Sequence, residues 1–157
     1  MSQPAVPAAQ LEPVLQPRWG YAPIRWAIVV FFAVAHGLAV WGVVHLTMNF
    51  SWATLSFGVA WYLLCGLSIT AGYHRLFSHQ SYKASAAIRT LYLLFGAASC
   101  QNSALAWSQD HRRHHRRTDE VEDPYSTKHG FLWAHIGWIW HDVPETTPVV
   151  KTEDLER

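Results

Sequence analysis

Cysteine is scarce in this chain: only Cys65 and Cys100 occur, far apart and each inside an apolar stretch. Neither zinc-like nor redox-like Cys spacing is present, so both thiols are expected to be buried packing residues. Charge is missing as well, since no Asp, Glu, Lys or Arg lies between Trp26 and Tyr73. A surface of evenly mixed charge is therefore excluded over that stretch. There is no internal repeat, no Cys cluster or haem motif for a fused redox module, and no nucleic-acid signature beyond one basic strip.

What is present is apolar bulk: half of the 157 residues are hydrophobic and nine are Trp. Residues 1–22, rich in Pro, Ala and Gln, lack periodicity and bulky apolar side chains and read as a flexible tail. No cleavable signal peptide is expected, because the apolar stretch that follows Arg18 is too long for a signal core. From Trp26 to Leu46 the chain supplies the roughly twenty apolar residues that a helix needs to cross about 30 Å of hydrocarbon. A short uncharged link leads to a second apolar stretch, Trp52 to Tyr73, so residues 23–73 are expected to form a transmembrane helical hairpin. Arg18 and Arg25 precede its first helix, and Arg75, Lys83 and Arg89 follow its second. The positive-inside tendency then places both termini on the cytoplasmic side.

Residues 74–157 read as a helical region on that same side. Ile88 to Trp107 is apolar enough to span, but its second half carries Ser99, Gln101, Asn102 and Ser103. A further crossing would also put the basic segment Arg112 to Arg117 outside, so a helix lying at or under the membrane face is expected. Phe131 to Trp140 is too short to cross and suits the interface. The fold class is all-α: an integral-membrane hairpin followed by a cytosolic or interfacial helical region.

Five of the ten histidines fall in two clusters. His74 and His79 stand where the second span ends, and His111, His114 and His115 follow the third apolar stretch. In the second cluster, i, i+3 and i+4 share one face of a helix and can converge on a metal. The i, i+5 spacing of the first spreads about 140° around an ideal α-helix, which suits a helix end or a loosened turn. Imidazole alone does not select the metal. The absence of Cys from both clusters and the number of histidines argue against one closed zinc site and favour two ions. Asp110, Asp119, Glu120, Glu122 and Asp123 are candidates to accept the other imidazole N–H groups. The plain alternative is a basic surface strip, HRRHHRR, that binds phosphate. His36 and His45, inside the first span, and His129, His135 and His141, outside the clusters, are expected to pack or hydrogen-bond.

The motifs GYHRLFSHQSYKAS, QNSALAWSQDHRRHH and EDPYSTKHGFLWAHIGW, in this order over Ile69 to Trp138, resemble the membrane fatty-acid desaturases of the acyl-CoA delta-9 (stearoyl-CoA) type. The resemblance implies a bundle of membrane helices with a cytosolic helical cap and a di-iron centre of two iron ions held mainly by histidine. It also implies a reaction in which dioxygen removes two hydrogens from a long acyl chain to leave a cis double bond, at the delta-9 position. His74, His79, His111, His114 and His115 match metal ligands. Gln101 and Trp107 match positions that shape the acyl tunnel, Asn102 one that contacts substrate near the thioester, and Asp110 one that contacts coenzyme A. The implied partners are the membrane, a long-chain acyl thioester or acyl lipid, and an electron donor such as ferredoxin or cytochrome b5.

Three departures from that pattern stand out. Gln109 replaces an arginine beside the aspartate, and Lys128 with His129 replace two arginines that reach coenzyme A phosphates, a grip that glutamine cannot reproduce and lysine only in part. The acyl carrier is therefore left open among coenzyme A, acyl carrier protein and membrane lipid. Finally, the family's second pair of spans and third histidine cluster are not found before Arg157, so the polypeptide alone is expected to be an incomplete catalyst. Two rival readings stand beside the desaturase: a related di-iron hydroxylase, and a non-catalytic membrane protein that binds anionic lipid.

Overall fold

The computed structural model describes residues 22–120, 123–142 and 150–155. Most of the expected tail, together with Arg18 and Glu122, lies outside the described residues. Contacts divide the chain into two units, Val29–Arg112 with Val150–Arg157, and Met1–Ile28 with Arg113–Val149. All regular structure among the described residues is helical, apart from one isolated bridge between Ile24 and His141.

Helix α1, Trp26–Met48, has 23 residues and buries none of them, a length of about 35 Å at the α-helical rise. Val30, Phe31, Val40 and Val43 stand exposed around its circumference. A helix that is apolar on every side finds its solvent in hydrocarbon. Helix α2, Trp52–Leu67, begins at Ser51, whose hydroxyl accepts the Thr54 N–H. It runs without a break into an 11-residue π-helical segment, Ser68–Ser78, so the second apolar rod extends from Trp52 to Ser78. Both rods are long and apolar enough to cross a membrane, and the protein is a membrane protein.

The widened turn has local causes. Thr70 Oγ1 donates to the Gly66 carbonyl at 2.9 Å and Ser78 Oγ to the Tyr73 carbonyl at 2.7 Å. Hydroxyls that enter the backbone ladder bend or loosen it. The Tyr82 hydroxyl donates to the Ala71 carbonyl at 2.7 Å, and burial together with Tyr92 pushes the pKa of that phenol up to about 12.

Helix α3, Ala86–Ala98, is capped by Ser85. At Cys100 and Asn102 the backbone takes φ values of 57° and 75°, and helix α4, Ala104–Arg116, then starts with the Ala106 N–H on Ser103 Oγ at 3.1 Å. The single helix expected over Ile88 to Trp107 is thus two helices with a tight reversal between them. Cys100, expected to be buried, is exposed in that reversal, and Cys65 is half-buried.

The core of this unit is Tyr73, Leu76 and Phe77, with Ile69, Tyr82, Tyr92, Trp107 and Leu155 packed around it. Each such buried side chain contributes about 1.5–3 kcal/mol. In the other unit, Asp142 N–H donates to the Pro23 carbonyl and Arg25 N–H to the Trp140 carbonyl. Phe131–Trp140 forms a short helix α5, Phe131–His135, and a 3-10 turn, Gly137–Trp140. Phe131 and Leu132 are both exposed on α5.

Candidate metal centre

The π-helical register carries the first pair of histidines. His79 N–H donates to the His74 carbonyl at 3.0 Å, the i to i+5 bond that closes a π turn. In this wider turn the two imidazoles come together, which an α-helix would have splayed apart. Helix α4 then brings His111 against both.

His79 Nε2 stands 3.1 Å from His74 Nε2 and 3.0 Å from His111 Nε2. An imidazole nitrogen carries either one proton or one in-plane lone pair. It cannot make a linear hydrogen bond along both of these directions, and a cation held among the rings would satisfy all three nitrogens. Imidazole nitrogens gathered this closely are a donor set that a transition-metal ion would take, and the ligand type alone does not select which ion.

Trp107 stacks on His111 with centroids 4.7 Å apart, and its edge meets His74 at 6.2 Å. His115 follows His111 by one turn of α4 and so projects from the same face. His114 Nδ1 donates to Asp123 Oδ2 at 2.8 Å, and the His114 ring lies 4.4 Å from that of Tyr125. Asp123 is fully buried and also accepts the Asp119 and Tyr125 N–H groups. A carboxylate that only accepts requires the proton on His114 Nδ1, which leaves the lone pair of the neutral ring on Nε2. Asp119 itself accepts the Thr127 N–H and hydroxyl, both at 2.8 Å, and these bonds hold its carboxyl below the usual range.

The remaining expected residues are placed as follows. Gln101 Oε1 accepts the Trp107 indole N–H at 3.2 Å, so these two brace each other across the reversal. Asn102 Oδ1 accepts the Ser103 N–H at 2.9 Å. Asp110 is half-buried on α4. Gln109 donates to Thr152 Oγ1 at 3.2 Å. His36 donates to the Phe32 carbonyl and His141 to the Gly137 carbonyl, each at 2.7 Å, while His45 stacks on Trp41 and His135 on Phe131.

Three of the four arginines in the basic strip are buried or paired. Arg113 is buried, Arg117 pairs with Glu120 at 3.0 Å, and Arg112 is bound by Asp154 at 2.8 Å. Sequence reading had missed the Arg112 contacts altogether, because the partner lies forty-two residues away.

No family model matches the chain. It is 41% identical over 74% of its length to the Delta(9)-fatty-acid desaturase fat-7 of Caenorhabditis elegans, covering 34% of that protein. It is 39% identical over 83% of its length to the sn-2 palmitoyl-lipid 9-desaturase of a Nostoc species, covering 46% of it. Against the Acyl-CoA Delta(11) desaturase of Choristoneura rosaceana it is 32% identical over 93% of its length, covering 44% of that relative. The chain therefore spans less than half the length of each of these relatives.

Proposed function

The chain belongs to the membrane fatty-acid desaturase family, and from that premise we propose that it carries part of the di-iron centre of an oxygen-dependent acyl desaturase. His74, His79, His111, His114 and His115 are the ligands in this reading, with a hairpin over residues 23–73 and the histidine-bearing region from 74 onward. The observation that carries it is the approach of His79 Nε2 to the Nε2 atoms of both His74 and His111 at 3.0–3.1 Å, two contacts that one linear N–H···N bond does not satisfy and a shared cation would. When bound, two irons in this family supply the dioxygen chemistry that takes two hydrogens from adjacent methylenes and leaves a cis double bond, here at delta-9.

The chain's own residues do the positioning. The π turn aligns His74 with His79, α4 presents His111 and His115 on one face, and Asp123 sets the tautomer of His114. Trp107 covers His111 with an apolar face, and Gln101 fixes the Trp107 ring. These two side chains shape the wall along which an unactivated alkyl chain is held at one distance from the metals with water excluded. Asn102 and Asp110 lie toward the polar end of the substrate, a long-chain acyl thioester or acyl lipid. Electrons come from a small carrier such as ferredoxin or cytochrome b5. Arg25 before α1, and Arg75, Lys83 and Arg89 after the second rod, support both ends and the histidines on the cytoplasmic side.

The test is metal and product analysis. Protein purified in detergent with ferrous iron is expected to retain iron that His111→Ala and His79→Ala lose. Joined to a segment that supplies the family's remaining spans and third histidine cluster, the chain is expected to give a desaturase-deficient host monounsaturated acyl chains with no added oxygen. Oxygen retained in the product points to a hydroxylase instead. Unchanged iron in both histidine variants sinks the metal-centre reading.

A further inference from the structure

The guanidinium of Arg112 has five N–H bonds, and all five have an acceptor. Nε donates to the Ser78 carbonyl at 3.0 Å, and one Nη2 bond reaches the Phe77 carbonyl at 2.9 Å. One Nη1 bond reaches the Lys151 carbonyl at 3.1 Å. The remaining two grip Asp154, Nη1 to Oδ1 and Nη2 to Oδ2, both at 2.8 Å. Planar two-point pairing of this kind is specific to arginine.

The position of these bonds matters more than their number. Phe77 and Ser78 end the π-helical segment, where carbonyls have no partner further along the helix, and His79 follows at once. Arg112 follows His111. The Asp154 carboxylate also accepts the side-chain amide of Gln80, the residue after His79. One carboxylate and one guanidinium thus tie the residues adjoining His79 to the residue adjoining His111. A turn earlier on α4, the buried Ser108 and Ser78 hydroxyls meet at 2.9 Å, so the same face of the helix is fixed at two successive levels. The face carrying Trp107, His111 and His115 is left for the ring cluster.

We propose that Arg112 and Asp154 are positioning residues, which set the separation of His79 from His111 by clamping the end of the π-helical segment to α4. The proposal rests on the reading of those histidines as metal ligands. Without the Asp154 carboxylate, the fork loses both charge-assisted bonds and Gln80 loses its acceptor. Arg112 then keeps its bonds to the Phe77 and Ser78 carbonyls, but nothing fixes the orientation of its fork or ties Gln80 to it.

Cobalt(II) titration of the full chain in detergent micelles tests this, because the visible band reports the geometry of the bound ion as well as its affinity. Asp154→Asn is expected to weaken cobalt binding about tenfold, as loss of an orienting partner commonly does, and to shift the band while helical circular dichroism stays at the wild-type level. Asp154→Glu, which keeps the carboxylate, is expected to recover most of the affinity. Adding Arg112→Lys to Asp154→Asn is expected to cost little more than the larger single effect, since both break one clamp. A wild-type band and affinity in Asp154→Asn overturn the proposal, and so does loss of helical signal together with cobalt, because Asp154 would then hold the fold and not the site. His79→Ala keeps the two levels apart: if it abolishes binding while Asp154→Asn does not, only the clamp falls. If His79→Ala binds cobalt as wild type does, the metal-centre reading falls and takes the clamp with it.

Discussion

His79 N–H donates to the His74 carbonyl at 3.0 Å, and the Nε2 atoms of the same two residues stand 3.1 Å apart. The backbone bond and the side-chain approach are two consequences of one π turn. His79 Nε2 also stands within 3.1 Å of the Nε2 atoms of both His74 and His111, so His79→Ala is expected to lose more metal affinity than His74→Ala or His111→Ala. His36→Ala and His45→Ala, whose rings are occupied within α1, are expected to bind as wild type. Cobalt titration across the five variants checks this order; equal losses at all five sites would contradict it.

Close approach at two glycines holds that turn in place. A Cβ on Gly72 would stand 2.7 Å from Tyr92 Cβ, and one on Gly96 would stand 2.6 Å from Tyr73 Cζ. Overpacking of this kind costs about 1–3 kcal/mol. Gly96→Ala is therefore expected to lower the thermal midpoint in detergent, and to weaken cobalt binding because the displaced Tyr73 ring leans on Trp107, its neighbour at 6.2 Å. Gly37→Ala, with open space around it, is expected to leave both unchanged.

Much of this was legible in the sequence. Length and lack of charge mark the two apolar rods, and the i, i+5 interval between His74 and His79 already asks for something looser than an α-helix. The reversal at Ser99 to Ser103 was not legible, because the positive-φ positions fall on Cys100 and Asn102 and not on a glycine that would announce them. Helical spacing puts His114 with His111 and His115, but its bond to the buried Asp123, nine residues on, is not legible in that spacing. Arg112 read as one member of a basic strip for the same reason: its meaning lies in a contact distant in sequence.

Asp123 offers a third prediction. It accepts N–H groups from His114, Asp119 and Tyr125 with no surface exposed. Asp123→Asn replaces one accepting oxygen by a donor, leaving a buried N–H facing another N–H, at a cost of about 1–3 kcal/mol. His114 then loses its fixed orientation, and iron retention is expected to fall about 10–100-fold in affinity. Metal analysis after equilibrium dialysis checks the figure, and wild-type retention would remove Asp123 from the site.

The clamp should also respond to acid. Hydrogen bonds from Arg112 hold the Asp154 carboxyl down to about 2, against about 3.9 for an unperturbed aspartate. A depressed carboxyl stabilises the folded chain above its unfolded value, and that contribution is lost as pH falls from about 4 through about 2. Docking of residues 150–155 is thus expected to be independent of pH above about 5 and to weaken below about 4. The Leu155 N–H, bonded to the Thr152 carbonyl at 2.8 Å, reports it: its hydrogen-exchange protection, corrected for intrinsic rates, should drop over that interval. In Asp154→Asn the protection should be low throughout and show no such step.

Asn102 has two separable roles, because its φ of 75° is a backbone demand and its amide is the proposed contact with substrate. Asn102→Gly satisfies the backbone without the amide, whereas Asn102→Ala fails on both counts and costs about 1–2 kcal/mol for the left-handed conformation. Thermal midpoints should therefore rank Gly near wild type and Ala below it. If the amide meets the acyl carrier, Asn102→Gly in the enzyme completed by the missing spans and histidine cluster should raise KM for the acyl substrate while leaving iron content and stability intact. Desaturation by Asn102→Gly at the wild-type KM would make Asn102 a turn residue alone, and the reversal between α3 and α4 would then act on the site only through the placement of Trp107.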